Sequence, residues 1–383
     1  MAALRFFARF AYVPTMIVGL NGLAIYLVVG GHSFAWVGLL FGLAVGLSLL
    51  MEWALPYEQA WNQSHDDTGK DVAHGVIYEI TNIAAILLLP LITMLMLWRS
   101  IWPSSLPIGV QLLLAIVIAD FSMTMIHYVS HRVSWLWRLH AIHHGVHRLY
   151  GFNGLVRHPL HQMLDLAAGT LPLVLAGLPV LVAVLLGFAI SVQLLVQHSN
   201  VDYELGPLQR FLAVGPVHRL HHVNWAGEGN VNFGLFFTFW DRLLGTLRLD
   251  SERAPSAGDI GIEDGQHFPQ VYVTQFVRPF KNDQKSDQVE GDLRRWALTH
   301  WRSNSETGAL RHNCQVRLLG FDTLTLVGRS LFAVCRRLSH SGRVVPGVVS
   351  CSTEAAEGGT RDEVSLDVED VVNGGVDGDE ALG

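Results

Sequence analysis

Long apolar runs dominate the first half of the chain. Phe10 to Val29, Ala35 to Leu55, Val76 to Trp98 and Leu106 to Ile126 each approach the roughly 20 residues a helix needs to cross a bilayer, and they predict four membrane spans. A fifth apolar stretch, Leu166 to Val196, is interrupted by Pro172, Gly177 and Pro179. It is long for one crossing, and its Gly-Leu-Pro predicts a hairpin of two short helices. Only such a return brings His198, at the end of the stretch, to the side of the membrane where the earlier histidines lie. The polar segment from Pro56 to Asp71 reads as an outer or membrane-edge connection. Gly38, Gly42 and Gly46 recur at a spacing that permits close helix packing, although glycine is common in membrane helices without that role. The first run leads straight into a second one with no small-residue cleavage site, so it is read as a span and not as a signal peptide.

Composition agrees with this pattern. Hydrophobic residues make up 50% of the chain and charged ones 15%, the profile of an integral membrane protein and not of a soluble enzyme. Arg5 and Arg9 precede the first span, and Arg132, Arg138, Arg148 and Arg157 follow the fourth. An even number of spans separates the two groups, so both are expected on the cytoplasmic side. Beyond residue 281 the composition shifts to scattered Arg, Ser and Gly. From Glu354 to Gly383 there are ten acidic residues and one arginine, which outweighs the whole-chain charge of −7. The acidity therefore belongs to this end, which is expected to be poorly ordered. The organisation implied is 1–105 N-terminal membrane helices, 106–281 a catalytic domain with membrane helices and a histidine cap, and 282–383 a tail. The fold class is all-α, a polytopic helical bundle. Cys314, Cys335 and Cys351 all lie in the tail and form no CxxC pair, so neither a zinc knuckle nor an iron–sulfur site is supported.

Twelve of the 19 histidines fall between His127 and His222. Eight of these form three clusters: His127-x3-His131, His140-x2-His143-His144 and His218-x2-His221-His222. Residues three or four apart share one helix face, so each cluster presents a preassembled set of imidazole nitrogens, the commonest metal-ligating group. His147 continues the second stripe by one turn, and Gly215-Pro216 suits the start of a short helix carrying the third cluster. There are too many ligands for one ion. The alternative of surface or core histidines that happen to cluster does not account for two repeats of one spacing. The isolated histidines, His32, His65, His74, His267, His300, His312 and His340, are expected to be satisfied or solvent-facing.

The ordered series of motifs resembles the fatty acid hydroxylase and sterol desaturase superfamily of membrane di-iron enzymes. The resemblance runs from about Ala119 to Phe280. It rests on Ala119-Asp120-Phe121, the first two histidine clusters with Leu136-Trp137-Arg138 ahead of the second, Arg157-His158-Pro159 and Gln197-His198-Ser199-Asn200-Val201. It continues in Pro216-x-His218-Arg219-x-His221-His222, Asn232-Phe233-Gly234 and Trp240-Asp241-Arg242-Leu243-Leu244-Gly245-Thr246. It implies that His127, His131, His140, His143, His144, His218, His221 and His222 are metal ligands, with His198 matching a further histidine of the pattern. The chain departs from relatives at His147 and His161, which stand where glutamate is common. His147, His158 and His161 are candidates for ligation or for support of the ligands. Asp120 lies two turns before His127 inside an apolar helix, where an acid is costly and a functional candidate. It is expected either to accept a hydrogen bond from a ligand histidine or to reach water or an arginine. Asn232 and Asp241 are expected to hold the C-terminal part against the helical core.

What the resemblance implies chemically is two iron ions and dioxygen as co-substrate. The reaction oxidises an unactivated C–H bond of a membrane lipid to an alcohol, or by loss of a second hydrogen to an alkene, and no side chain is needed as an independent acid or base. Imidazole alone does not select iron over zinc, copper or nickel; the resemblance does. The substrate could be a fatty chain, a sterol or another isoprenoid lipid. The chain has no dinucleotide fingerprint and no His-Pro-Gly-Gly signature of a fused cytochrome b5 domain, so an external ferredoxin- or cytochrome b5-like donor with its reductase is the implied partner. No nucleic-acid partner is expected. Two other readings stand beside this one: a histidine-lined metal carrier, and a catalytically silent member that binds lipid.

Overall fold

In the computed structural model the described residues are 1–94, 100–225, 228–251, 253–262, 268–269 and 271–281, together with the backbones of 312–318, 324–327, 347–353 and 363–367. The chain divides into two units, Met1–Lys281 and Asn282–Gly383. The first unit is helical. After α1 (Ala2–Phe10), α2 (Tyr12–Pro14), a π-helical stretch Thr15–Leu20 and α3 (Asn21–Val29) form one continuous rod. Then follow α4 (Ala35–Ala54), α5 (Thr68–Met94), α6 (Ile108–Ser130), α7 (Ser134–His144), α8 (Pro159–Ala176), α9 (Val180–His198), α10 (Gly215–His218), α11 (Phe239–Leu244) and α12 (Tyr272–Val277). Five segments are long and apolar enough to cross a membrane: Tyr12–Val29, Ala35–Ala54, Thr68–Leu91, Ile108–Ser130 and Val180–His198.

The fifth apolar stretch folds as its breakers require. Gly177 ends α8 in a left-handed conformation (φ 85°), Pro179 precedes α9, and the two helices return the chain to the end from which it set out. Pro159 opens α8 at its first turn, where a missing N–H costs nothing. Helix α8 lies along α6, with Gly169 where a Cβ would come 2.9 Å from Met123 Cγ. Helix α9 is the hub, in contact with α3, α4, α5 and α6. Space is open around Gly38, Gly42 and Gly46, so these are ordinary membrane-helix glycines and no close helix crossing depends on them.

Two ends of the bundle are distinguishable by hydrogen bonds. At one, Ser100 Oγ and the Ile101 amide donate to the Ala176 carbonyl (3.1 and 3.0 Å). At the other, Arg9 pairs with Asp202 at 2.7 Å and Glu204 at 3.1 Å, beside the C-terminal end of α9. The N-terminal arginines thus share the histidine-bearing end. So does the segment from Pro56 to Asp71, at the edge of the bundle: the Tyr57 amide donates to the Asn200 carbonyl (2.8 Å), and Arg148 grips Asp67 with two bonds of 2.7 and 2.8 Å. Two crossings carry the chain back to its starting side, and the buried acids of this segment are needed there by Arg148, Tyr150 and Asn153.

In the second unit, within the span read as a poorly ordered tail, the described residues are four strands, β1 (His312–Leu318), β2 (Leu324–Val327), β3 (Gly347–Thr353) and β4 (Glu363–Asp367). They form an antiparallel sheet in the order β2-β1-β3-β4, with Cys314 opposite Cys351 and Val349 opposite Leu366. Val and Thr recur in these segments and favour the extended chain despite the acidic surroundings. The all-α class describes the first unit, and the rest of the tail lies outside the described residues.

Candidate metal centre

Four elements end at one place and deliver nine imidazoles. The last turn of α6 carries His127, and His131 follows as its C-cap. Helix α7 carries His140, His143 and His144, α9 ends on His198, and α10 with the 3-10 turn Arg219–His221 and the residue after it carries His218, His221 and His222. The nine fall into two groups: His127, His131, His140, His144 and His221, and His143, His198, His218 and His222. Within each group the ligating nitrogens lie within 4.8 Å of one another.

The repeated H-x2-H-H spacing acquires a geometric meaning here. On α7 the i, i+4 pair His140 and His144 shares a face and serves the first group, while His143, about 100° around the helix, faces the second. In the third cluster the roles are exchanged: His218 and His222 serve the second group, and His221 the first. The two motifs interlock, with ring centroids of His144 and His222 4.6 Å apart and those of His144 and His221 also 4.6 Å apart.

Backbone carbonyls set the tautomers. His127 Nδ1 donates to the Phe233 carbonyl (2.9 Å), His143 Nδ1 to Val156 (3.1 Å), His198 Nδ1 to Leu194 (2.9 Å) and His221 Nδ1 to Val231 (2.8 Å). A carbonyl can only accept, so in the neutral rings Nε2 is left bare and aimed inward. Bare Nε2 atoms of His143 and His198 then face each other at 3.2 Å, lone pair against lone pair. His218 and His222 place their Nε2 atoms 3.2 Å from that of His198. The His143–His198 contact is repulsive without a cation between the nitrogens. A metal bound at about 2.0–2.1 Å sets neighbouring donor nitrogens about 3.0–3.4 Å apart, which matches. In the first group Nε2 of His127 and of His221 are buried with no acceptor or donor among the described residues. The donor set fits two metal ions.

Electrostatics agree. Burial and then the neighbouring imidazoles hold His140, His144 and His218 well below the ordinary histidine value. Burial brings His221 down to about 4, with the positive charge of Arg157 adding to the effect. Neutral imidazole is the metal-binding form.

The other predicted residues separate. His147 is exposed, because Gly145 closes α7 one residue after His144 and ends the helical stripe. His158 is the N-cap of α8: its Nδ1 accepts the Leu160 amide (3.1 Å) and its Nε2 lies 3.1 Å from the Phe276 carbonyl. His161 lies beside His140 with its ring tilted (4.6 Å between centroids) and bridges Ser130 Oγ at 2.9 Å and Asp165 at 3.2 Å, so it touches a group member without joining the group. Among the described residues Asp120 meets neither a histidine nor an arginine. It accepts the amides of Leu235, Phe236 and Phe237 (2.8–3.2 Å) and the Trp240 indole N–H (2.9 Å). Non-helical backbone within the bundle must find internal acceptors, and this carboxylate supplies them to the loop whose Val231 and Phe233 carbonyls orient His221 and His127. Asp241 likewise accepts the Phe233 and Gly234 amides, and Asn232 donates to the Val217 and Arg248 carbonyls, so both hold the C-terminal loop to the core. Of the isolated histidines, His74 is satisfied between the Arg157 carbonyl and Gln275 (3.1 Å each). His267, His300 and His340 lie outside the described residues.

Sequence reasoning gave no site role to Arg157, Asp165, Gln197 or Trp137. A cavity beside the histidines is lined by the first three together with Met123 and Phe233. The half-buried Trp137 ring lies 4.9 Å from His131 and 5.3 Å from His144. Asp165 was legible as the partner four residues after His161. Gln197 was not, since its amide serves the Ala213 and Gly234 carbonyls from distant loops (3.2 and 2.8 Å).

The sequence model of the fatty acid hydroxylase family matches residues 112–246, which include all nine grouped histidines. Among curated proteins the chain is 29% identical over 292 residues to ornithine lipid hydroxylase OlsE of Rhizobium tropici, covering 74% of this chain and 87% of that one. It is 28% identical over 134 residues to human alkylglycerol monooxygenase (35% of this chain, 30% of that one). It is 31% identical over 128 residues to methylsterol monooxygenase 1 of Danio rerio (31% and 42%). No solved structure matches.

Proposed function

From the premise that this chain belongs to the fatty acid hydroxylase superfamily, we propose that it is a di-iron, dioxygen-dependent monooxygenase that hydroxylates a C–H bond of a membrane lipid. The observation that carries this reading is the gathering of nine imidazoles into two groups by two interlocked H-x2-H-H motifs. His127, His131, His140, His144 and His221 would hold one ion, and His143, His198, His218 and His222 the other. A pair of redox-active irons supplies the activation of dioxygen, which redox-inert zinc does not.

The protein's own part is positional. Carbonyls of Val156, Leu194, Val231 and Phe233 fix the ring tautomers. The buried Phe233 and half-buried Trp137 wall the first group from water, and Met123 and Phe233 give the small adjoining cavity an apolar side. The catalytic domain is assigned to 106–281. The relatives named above are hydroxylases or monooxygenases of lipids, which favours hydroxylation over desaturation. Arg5 and Arg9 at the histidine end support a cytoplasmic site, reached by a ferredoxin- or cytochrome b5-like donor with its reductase. A metal carrier would spread ligands along a path through its spans, whereas these gather at one end.

The test is metal content of detergent-purified, anaerobically prepared protein beside a His143→Ala/His221→Ala double variant. About two irons per chain, falling to less than half of that in the variant, is the expected result. Little bound metal in well-folded wild-type protein would overturn the reading in favour of a carrier or a silent lipid-binding member.

A further inference from the structure

The cavity beside the histidines is lined by Met123, His127, Arg157, Asp165, Gln197 and His218, so it touches one member of each histidine group. The Arg157 side chain is 11% exposed, and one of its terminal nitrogens donates to Asp165 Oδ2. The same oxygen lies 3.2 Å from His161 Nδ1. Its Nε–H is buried and meets no acceptor among the described residues.

All nine grouped residues are imidazoles and bring no negative charge, so bound metal cations would add to the positive charge of Arg157, with Asp165 offsetting only part of it. An alkyl chain laid against this wall would leave the Nε–H unpaired and the excess charge uncompensated, and both are costly away from water. An anionic oxygen would satisfy both, because guanidinium pairs with carboxylate and phosphate through adjacent N–H groups. Met123 gives the same wall an apolar face.

We propose that this cavity receives the anionic head-group oxygen of the lipid, carboxylate or phosphate, and that Arg157 is the residue that binds it, held in place by Asp165. The inference deepens the lipid-oxidation reading and rests on it. It places the oxidised carbon near the polar end of the substrate and not far down its chain.

Three amphiphiles of equal chain length separate the possibilities when titrated calorimetrically against the zinc-loaded full chain in detergent: N-lauroylglycine, dodecyl phosphate and dodecanol. The expected result is that one anionic probe binds at least tenfold tighter than dodecanol (~1.4 kcal/mol), and which of the two does so identifies carboxylate or phosphate. R157Q should erase that preference with metal content unchanged, R157K should keep part of it, and D165N should weaken it without erasing it. Equal binding of all three probes by the wild type overturns the assignment, as does a preference that R157Q retains. If R157Q does not fold, a preference unchanged in both R157K and D165N overturns it equally. Metal content of the same samples reports separately on the oxidation reading: a wild type that holds no metal yet prefers an anion in a manner sensitive to R157Q upholds Arg157 and removes the di-iron chemistry.

Discussion

Helices α4 and α9 are nearly equal in length, at 20 and 19 residues, and both are apolar enough to span a membrane, yet they live in different solvents. A third of the α4 window is buried inside the protein, against 78% of that of α9. Leu39 and Leu43 of α4 are exposed, whereas Leu185, Leu194 and Leu195 of α9 are fully covered. Both helices bury polar residues that have partners, Ser48 and Glu52 in α4 and the more numerous Ser191, Gln193, Gln197 and His198 in α9. Hydrophobicity alone measures escape from water and is the same for a helix that ends in lipid and for one that ends in protein. Partnered polar groups mark the face of each helix that meets protein, because lipid offers them nothing, and that face is wider in α9.

The sharpest way to break that comparison is to shave both helices. Leu185→Ala should cost about 2–5 kcal/mol by leaving a cavity, and Leu43→Ala should stay within about 0.5 kcal/mol because lipid fills the gap. Thermal unfolding in one detergent would show it, and equal losses would mean that α9 is not the packed core.

Glycines offer a second contrast. A Cβ at Gly154 would meet the Leu194 carbonyl at 2.6 Å and His198 Nδ1 at 2.8 Å, so Gly154→Ala should destabilise by about 1–3 kcal/mol and lower metal retention in the second group. Gly42→Ala, in open space, should change neither melting temperature nor metal content.

The cap itself is tested by pH. The cap that covers the end of α9 holds His221 at about 4, below its ordinary 6.5. The unfolded chain therefore binds more protons than the folded one between these values, and stability falls as pH drops from 6.5 toward 4. Metal-free protein should melt lower at pH 5 than at pH 7, with the loss reduced in His221→Gln. A flat profile would indicate that the imidazoles are hydrated and that the cap does not seal the site.

Several of these features were legible in the order of residues. The spans follow from run length, the α8–α9 hairpin from Gly177 and Pro179, and the histidine clusters from helical spacing. Covalent geometry and periodicity are local, so they survive without knowledge of neighbours. Local reasoning also misled. The His140 stripe was extended to His147 although Gly145 stops the helix. Asp120 shares a helix face with His127 but spends its carboxylate on amides 115 to 117 residues away.

The sequence by itself thus determined a helical membrane protein with three preassembled sets of imidazoles. Only the tertiary structure decided how these divide between two centres, with His143 parted from its neighbour His144 and His221 from His222. It also decided that Arg157 faces the cavity beside them. The physical reason is that a metal site is defined by where lone pairs converge. Convergence depends on carbonyls such as Val156, Val231 and Phe233, which every residue possesses and no sequence pattern advertises.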